Sequence, residues 1–153
     1  MYTHGDTSST LLPIKFMMIF VQNLLVYFIF MSRGDYIYGD VGTTLTNAEK
    51  VEPNLWLIAG CAALWFTGYF EILMMIVGTN VPFVYAKFNM IQIVLHFLGC
   101  LFLLWFILDT WNYYRIWYIF VLCSILPFAL EIVMWREAFL LKKIIKRNSG
   151  EEK

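Results

Sequence analysis

The sequence predicts an all-α membrane protein: a bundle of four transmembrane helices with the N- and C-termini in the cytoplasm. Of its 153 residues, 61% are hydrophobic and only 14% are charged, whereas a soluble domain carries about 25% charged residues. So many apolar residues cannot all be buried in a water-soluble core of this size, and the excess must face lipid. Four long apolar runs supply the spans, each near the ~20 residues that a helix needs to cross the hydrocarbon core.

The chain divides into a polar N-terminal tail at 1–11, a transmembrane domain at 12–136 and a basic cytoplasmic tail at 137–153. A loop at 32–54, rich in Gly, Thr and acidic residues, follows the first span. The runs show no alternation of apolar and polar residues, which excludes the strands of a membrane barrel. In chain order the predicted spans are about 14–31, 55–78, 88–108 and 116–135.

The basic residues are distributed unevenly between the two sides of the predicted bundle. Arg33, Lys50 and Arg115 lie on the side of the 32–54 loop. The side with the termini carries the other basic residues, which are Lys15, Lys87, Arg136, Lys142, Lys143, Lys146, Arg147 and Lys153. Because cytoplasmic loops carry an excess of Lys and Arg, this bias predicts cytoplasmic termini.

The carboxylate, amide and histidine side chains of the predicted spans lie in the half nearer to the termini. They are Gln22, Asn23, Glu71, Asn89, Gln92, His96 and Glu131. An ionisable group inside a bilayer costs about 2.5 kcal/mol or more, so such groups face the bundle interior or a cavity. We therefore predict a polar cluster that joins Glu71, His96 and Glu131, supported by Gln22, Asn23 or Gln92.

Three interpretations of this cluster stay open. It can hold helices together through hydrogen bonds, relay a proton or ion, or bind a metal. The outer half of the spans is nearly pure hydrocarbon, which favours the first interpretation over a relay. The spacing of Glu71, His96 and Glu131 matches no metal motif, and the sequence predicts neither a metal nor a cofactor.

Small residues recur along the second span and form a stripe that would let a neighbouring helix approach closely. The stripe consists of Ala59, Gly60, Ala63, Thr67 and Gly68. In the fourth span Pro127 removes a backbone donor, and we expect it to free a carbonyl and to kink the helix.

Signatures of soluble enzymes are missing from the sequence. It contains no G-x-S-x-G elbow, P-loop or G-x-G-x-x-G fingerprint, and no serine has a triad arrangement of His and Asp. It also lacks a basic and aromatic pattern for nucleic acid. The sequence therefore predicts a protein that is not an enzyme and does not bind nucleic acid.

The fourth span carries a motif that resembles the last helix of the transmembrane protein 107 family. Its residues are Trp117, Tyr118, Phe120, Cys123, Ser124, Pro127 and Glu131. The resemblance extends over about 11–145 and includes the opening of the first span at Leu12, Pro13 and Lys15. Members of this family are small tetraspan proteins of the ciliary transition zone.

The resemblance implies a non-catalytic membrane scaffold of the Meckel-type complex at the cilium base. Such a scaffold contributes to cilium assembly and to the ciliary membrane diffusion barrier. Its partners would be the lipid bilayer and other transition-zone membrane proteins, of the tectonic-type and tetraspan kinds. The alternatives are a small proton- or ion-coupled transporter that uses the Glu and His cluster, and a lipid-modifying membrane enzyme.

Overall fold

The computed structural model describes residues 6–41, 51–78 and 86–151, and in these ranges the chain is built from helices. The helices are α1 (Asp6–Met31), α2 (Arg33–Val41), α3 (Val51–Gly78), α4 (Ala86–Leu108), α5 (Arg115–Phe120) and α6 (Leu126–Glu151), with a π-helical turn at Val121–Ile125 between the last two. Within these ranges, four stretches are long and apolar enough to cross a membrane. They are Leu11–Met31, Val51–Ile76, Lys87–Leu108 and Arg115–Glu137. The predicted all-α fold with four spans is confirmed.

Helical structure extends further than the predicted boundaries. Helix α1 begins at Asp6, inside the expected polar tail, and α3 begins at Val51, before the expected end of the loop. Helix α6 continues through the basic tail to Glu151. Residues 42–50 of the expected loop, and residues 79–85 between the second and third predicted spans, lie outside the described residues.

The expected 32–54 loop contains α2, which packs its apolar side on the bundle. Tyr36 and Ile37 are buried, and the Tyr36 ring lies 4.8 Å from that of Phe106. Burial raises the pKa of the Tyr36 hydroxyl above its usual 10.0. Burying two large side chains stabilises this short helix, which is too short to be stable alone.

Each spanning helix turns one narrow face towards the core. In α1 this face consists of Lys15, Ile19, Gln22, Val26 and Ile29, and in α4 of Gln92, His96, Gly99, Leu103 and Phe106. Steps of three and four residues keep a set of side chains on one side of a helix. Helix α1 packs most extensively on α4 and next on α3, so these faces meet inside the bundle.

The core changes from polar to apolar along the bundle axis, away from the termini. In the half farther from the termini it is apolar, with fully buried Ile29, Leu57, Leu103, Phe106 and Ile116. Large apolar side chains cover the outside of the spans, among them Phe28 and Phe66. This surface is the one that lipid covers in a membrane.

Glycines mark the places where spans approach most closely. A Cβ on Gly60 would lie 2.7 Å from Ile116 Cγ2, and one on Gly68 would lie 2.7 Å from Asn23 Nδ2. In the predicted stripe, these two glycines and Thr67 are buried, Ala63 is half-buried and Ala59 is exposed. The close contacts of the second span are therefore made through its glycines.

The π turn precedes Pro127 in the fourth span. A π turn contains i→i+5 hydrogen bonds and interrupts the regular α-helical ladder. Cys123 and Ser124 in this turn are buried, as is Pro127. A Cβ on Gly99 would lie only 2.9 Å from Cys123 Cβ, so the third span lies directly against the turn.

Candidate functional site

The buried polar side chains form two hydrogen-bonded groups at successive depths in the bundle. The Lys15 layer consists of Lys15, Gln92 and Glu131 with the Pro127 carbonyl. The His96 layer consists of Gln22, Glu71, His96 and Ser124. Gln92 and His96 are one turn apart on α4, which corresponds to about 6 Å along the helix axis. The Lys15 layer lies nearer to the chain termini.

The Lys15 layer joins three spans through one carboxylate oxygen. Lys15 Nζ lies 2.7 Å from Glu131 Oε2, and Gln92 Nε2 donates to the same oxygen at 2.8 Å. Gln92 Nε2 also donates to the Pro127 carbonyl at 3.1 Å, so both hydrogens of its amide are used. Lys15 is 2% exposed, which places its ammonium away from lipid and beside its counter-charge.

The His96 layer joins all four spans, three of them directly through one imidazole ring and the fourth through Gln22. His96 Nε2 lies 2.7 Å from Glu71 Oε2, and Nδ1 lies 2.8 Å from Gln22 Oε1. Gln22 Nε2 donates in turn to Ser124 Oγ at 3.4 Å. Glu71, His96 and Ser124 are each at most 2% exposed. A chain of hydrogen bonds therefore crosses the bundle from the second span to the fourth.

This geometry limits where protons lie in the His96 layer. Gln22 Oε1 can only accept, so His96 Nδ1 donates to it. His96 Nε2 and Glu71 Oε2 then share one proton, which gives either an imidazolium with a carboxylate or a neutral imidazole with a carboxylic acid. In both arrangements the pair carries no net charge, which suits a site closed off from water.

The structure brings together only some of the residues predicted to form one cluster. Glu71, His96 and Gln22 meet, but Glu131 bonds Gln92 and Lys15 in the other layer. Asn23 donates instead to the Ile19 carbonyl of its own helix. The two glutamates therefore have separate partners in separate layers.

Lys15 belongs to this site, although its place at the start of the first span indicated a boundary charge. A signal for its position was present, because Lys15 and Gln22 are seven residues apart and share one helical face. Ile19, Val26 and Ile29 complete that face, and all are buried. A lysine on the most buried face of a span indicates an internal partner rather than a headgroup contact.

The motif of the fourth span contributes both polar and apolar contacts. Ser124, Pro127 and Glu131 take part in the two layers. Trp117 packs edge-on against Trp56 at 5.9 Å and against Phe120 at 5.8 Å. Tyr118 is 71% exposed and faces outwards. Among the described residues, no group of three or more His, Cys, Asp or Glu side chains could hold a metal ion.

Comparison with known proteins gives a consistent match over the spans. The model of the TMEM107 family, described as transmembrane protein, matches residues 11–135. Human Transmembrane protein 107 is 28% identical to the chain over 135 residues, which cover 88% of this chain and 95% of the human protein. No solved structure matches the chain.

Proposed function

Because the chain belongs to the TMEM107 family of transmembrane proteins, we propose that it is a non-catalytic membrane scaffold of the ciliary transition zone. In this role it belongs to the Meckel-type complex and contributes to cilium assembly and to the diffusion barrier of the ciliary membrane. Its partners are tectonic-type and other tetraspan membrane proteins, which it meets within the bilayer. Both termini face the cytoplasm.

The pairing of the buried charges is the observation that carries this proposal. Lys15 is paired with Glu131, and Glu71 shares a proton with His96, each pair joining different spans. Such contacts fix which helices meet and in which register, as interhelical hydrogen bonds do in membrane bundles. The result is a bundle with fixed helix contacts, which presents its apolar outer faces to neighbouring membrane proteins.

A proton- or ion-coupled transporter would use the same residues differently. The proton shared by Glu71 and His96 resembles one step of a relay, and a relay needs further polar groups along the crossing. Beyond the His96 layer, the described core continues with Val26, Leu64 and Leu103. These apolar side chains support the scaffold over the transporter.

The first test is the position of a tagged copy in ciliated cells that lack the endogenous protein. A scaffold of the transition zone gives a ring between the basal body and the axoneme in super-resolution images. Proximity labelling from that ring should recover tectonic-type membrane proteins. Signal spread over the endoplasmic reticulum or plasma membrane, in cells with normal cilia, would refute the scaffold.

The variant Glu71→Gln separates scaffold from transporter in the same cells. Its amide can donate to a neutral His96 Nε2, so the helix contact remains, while the acidic proton is lost. A scaffold with this substitution keeps its ring and restores cilium formation. If the protein is a transporter, the variant remains at the same place in the cell as the wild-type protein but fails to restore cilium formation. Leu73→Ala, on an exposed position of the same helix, serves as the control for expression.

A further inference from the structure

We propose that the extension of α6 beyond the membrane binds anionic phospholipid headgroups. This extension is defined as residues 136–147, the part of α6 that follows Trp135. Its sequence contains five basic residues and one acidic residue, Glu137, although the whole chain has a formal net charge of zero. The inference concerns a surface that the scaffold role does not use, and it does not depend on that role.

Two side chains mark where the extension leaves the bilayer. Trp135 is 44% exposed at the end of the fourth span, and tryptophans at such positions lie at the headgroup level. Phe139 is 68% exposed and lies one turn further, about 6 Å along the axis. An exposed aromatic ring at this depth remains within the interfacial layer. The basic residues therefore begin where lipid phosphates and carboxylates are found.

Three basic residues of the extension, those whose side chains the structure describes, lie along one side of the helix. Arg136, Lys143 and Arg147 are exposed, and their spacing of seven and four residues places them on one helical face. Lys87, at the same end of the bundle on α4, is also exposed. Lys15 does not belong to this surface, because it is buried against Glu131. The result is a basic surface beside the headgroups.

The direction of α6 brings these charges closer to the membrane. Side chains of an α-helix lean towards its N-terminus, and the N-terminal part of α6 lies inside the bilayer. Lys143 and Arg147 therefore lean back towards the headgroups from positions about 12 and 18 Å beyond Trp135. Long basic side chains shorten these distances while their charged ends remain in water. A helix running in the opposite direction would carry its charges away from the lipid.

Charge complementarity selects anionic lipid over zwitterionic lipid. A basic segment next to a span is attracted to phosphatidylserine and phosphoinositides by about 1 kcal/mol for each Lys or Arg near the surface. Phosphatidylcholine carries no net charge and offers no such attraction. The expected ligand is therefore a lipid with a net negative headgroup, held at the inner surface of the bundle.

The test uses the purified full-length protein in native mass spectrometry with phosphatidylserine and phosphatidylcholine of identical acyl chains. The wild-type protein should bind phosphatidylserine more tightly. Arg136→Gln with Lys143→Gln should weaken phosphatidylserine binding by about fivefold for each residue neutralised. Arg33→Gln with Arg115→Gln removes the same charge at the opposite end and should leave the binding unchanged.

Two outcomes would overturn the proposal. One is equal binding of the two lipids by the wild-type protein, which would leave the extension free for a protein partner. The other is an equal loss of phosphatidylserine binding in both double variants, which would indicate a general charge effect. If a double variant does not fold, the single variants Arg136→Gln and Lys143→Gln are compared with Arg33→Gln, and only the first two should lose about fivefold in phosphatidylserine binding.

Discussion

Lys15 and Glu131 form a buried ion pair, with Nζ and Oε2 2.7 Å apart, although 116 residues separate them in the sequence. The pair joins the first span to the last and so closes the bundle on the side of the termini. Gln92 from the third span donates to the same carboxylate oxygen. One oxygen atom therefore links three of the four spans. Substitution of the residues that contact it should change the stability of the bundle.

Removal of either charge of this pair should destabilise the bundle. Lys15→Met leaves Glu131 buried without its counter-charge, and we expect a loss of about 3 kcal/mol in the free energy of unfolding. Lys15→Met combined with Glu131→Met should recover most of that loss, because a buried ion pair can be replaced by apolar residues at little cost. Thermal denaturation of the two variants in lipid nanodiscs measures this difference. A double variant less stable than the single one would contradict it.

Loss of the Glu71 carboxylate should reduce the amount of folded protein. Glu71→Ala leaves His96 Nε2 without an interhelical partner, and such hydrogen bonds contribute about 1–2 kcal/mol in membrane bundles. Size-exclusion chromatography of the expressed protein reports the folded fraction. Normal folding of Glu71→Ala, equal to that of the lipid-facing control Leu73→Ala, would show that the contact does not stabilise the bundle.

An added methyl group at Gly99 should push two spans apart. Gly99→Ala would place a Cβ 2.9 Å from Cys123 Cβ, an atom that cannot move without its backbone. Overpacking of this kind costs about 1–3 kcal/mol, although Gly→Ala inside a helix otherwise stabilises it by about 0.5–1 kcal/mol. The midpoint of thermal unfolding should therefore fall. The control is Ala62→Val, at an exposed position of α3. There the added methyl groups should not lower the midpoint of thermal unfolding.

The predicted orientation can be checked by epitope tags at both ends of the chain. The excess of Lys and Arg on the side of the termini predicts that this side is cytoplasmic. Antibodies should therefore reach both tags in cells whose plasma membrane alone has been permeabilised. Tags that antibodies reach on intact cells, or only after the internal membranes are opened, would show the inverse orientation.

The sequence predicts the spans well because the length and apolarity of a membrane helix are local properties. The contact between Glu71 and His96 was also predictable, since the two residues lie at matching depths on spans of opposite direction. Lys15, the charged partner of Glu131, was not predicted, because a lysine near a span end is ordinarily a boundary charge. Recognition of α2 required the packing of Tyr36 on Phe106, a contact between distant segments.

The π turn at Val121–Ile125 has a consequence for insertions and deletions in the fourth span. A π turn holds about one residue more than an α turn, so the removal of one residue there can be absorbed by conversion to regular α-helix. The same deletion between Pro127 and Glu131 would rotate Glu131 by about 100° around the helix axis and turn its carboxylate away from Lys15. The fourth span can therefore lose one residue within the π turn and still keep Glu131 facing Lys15.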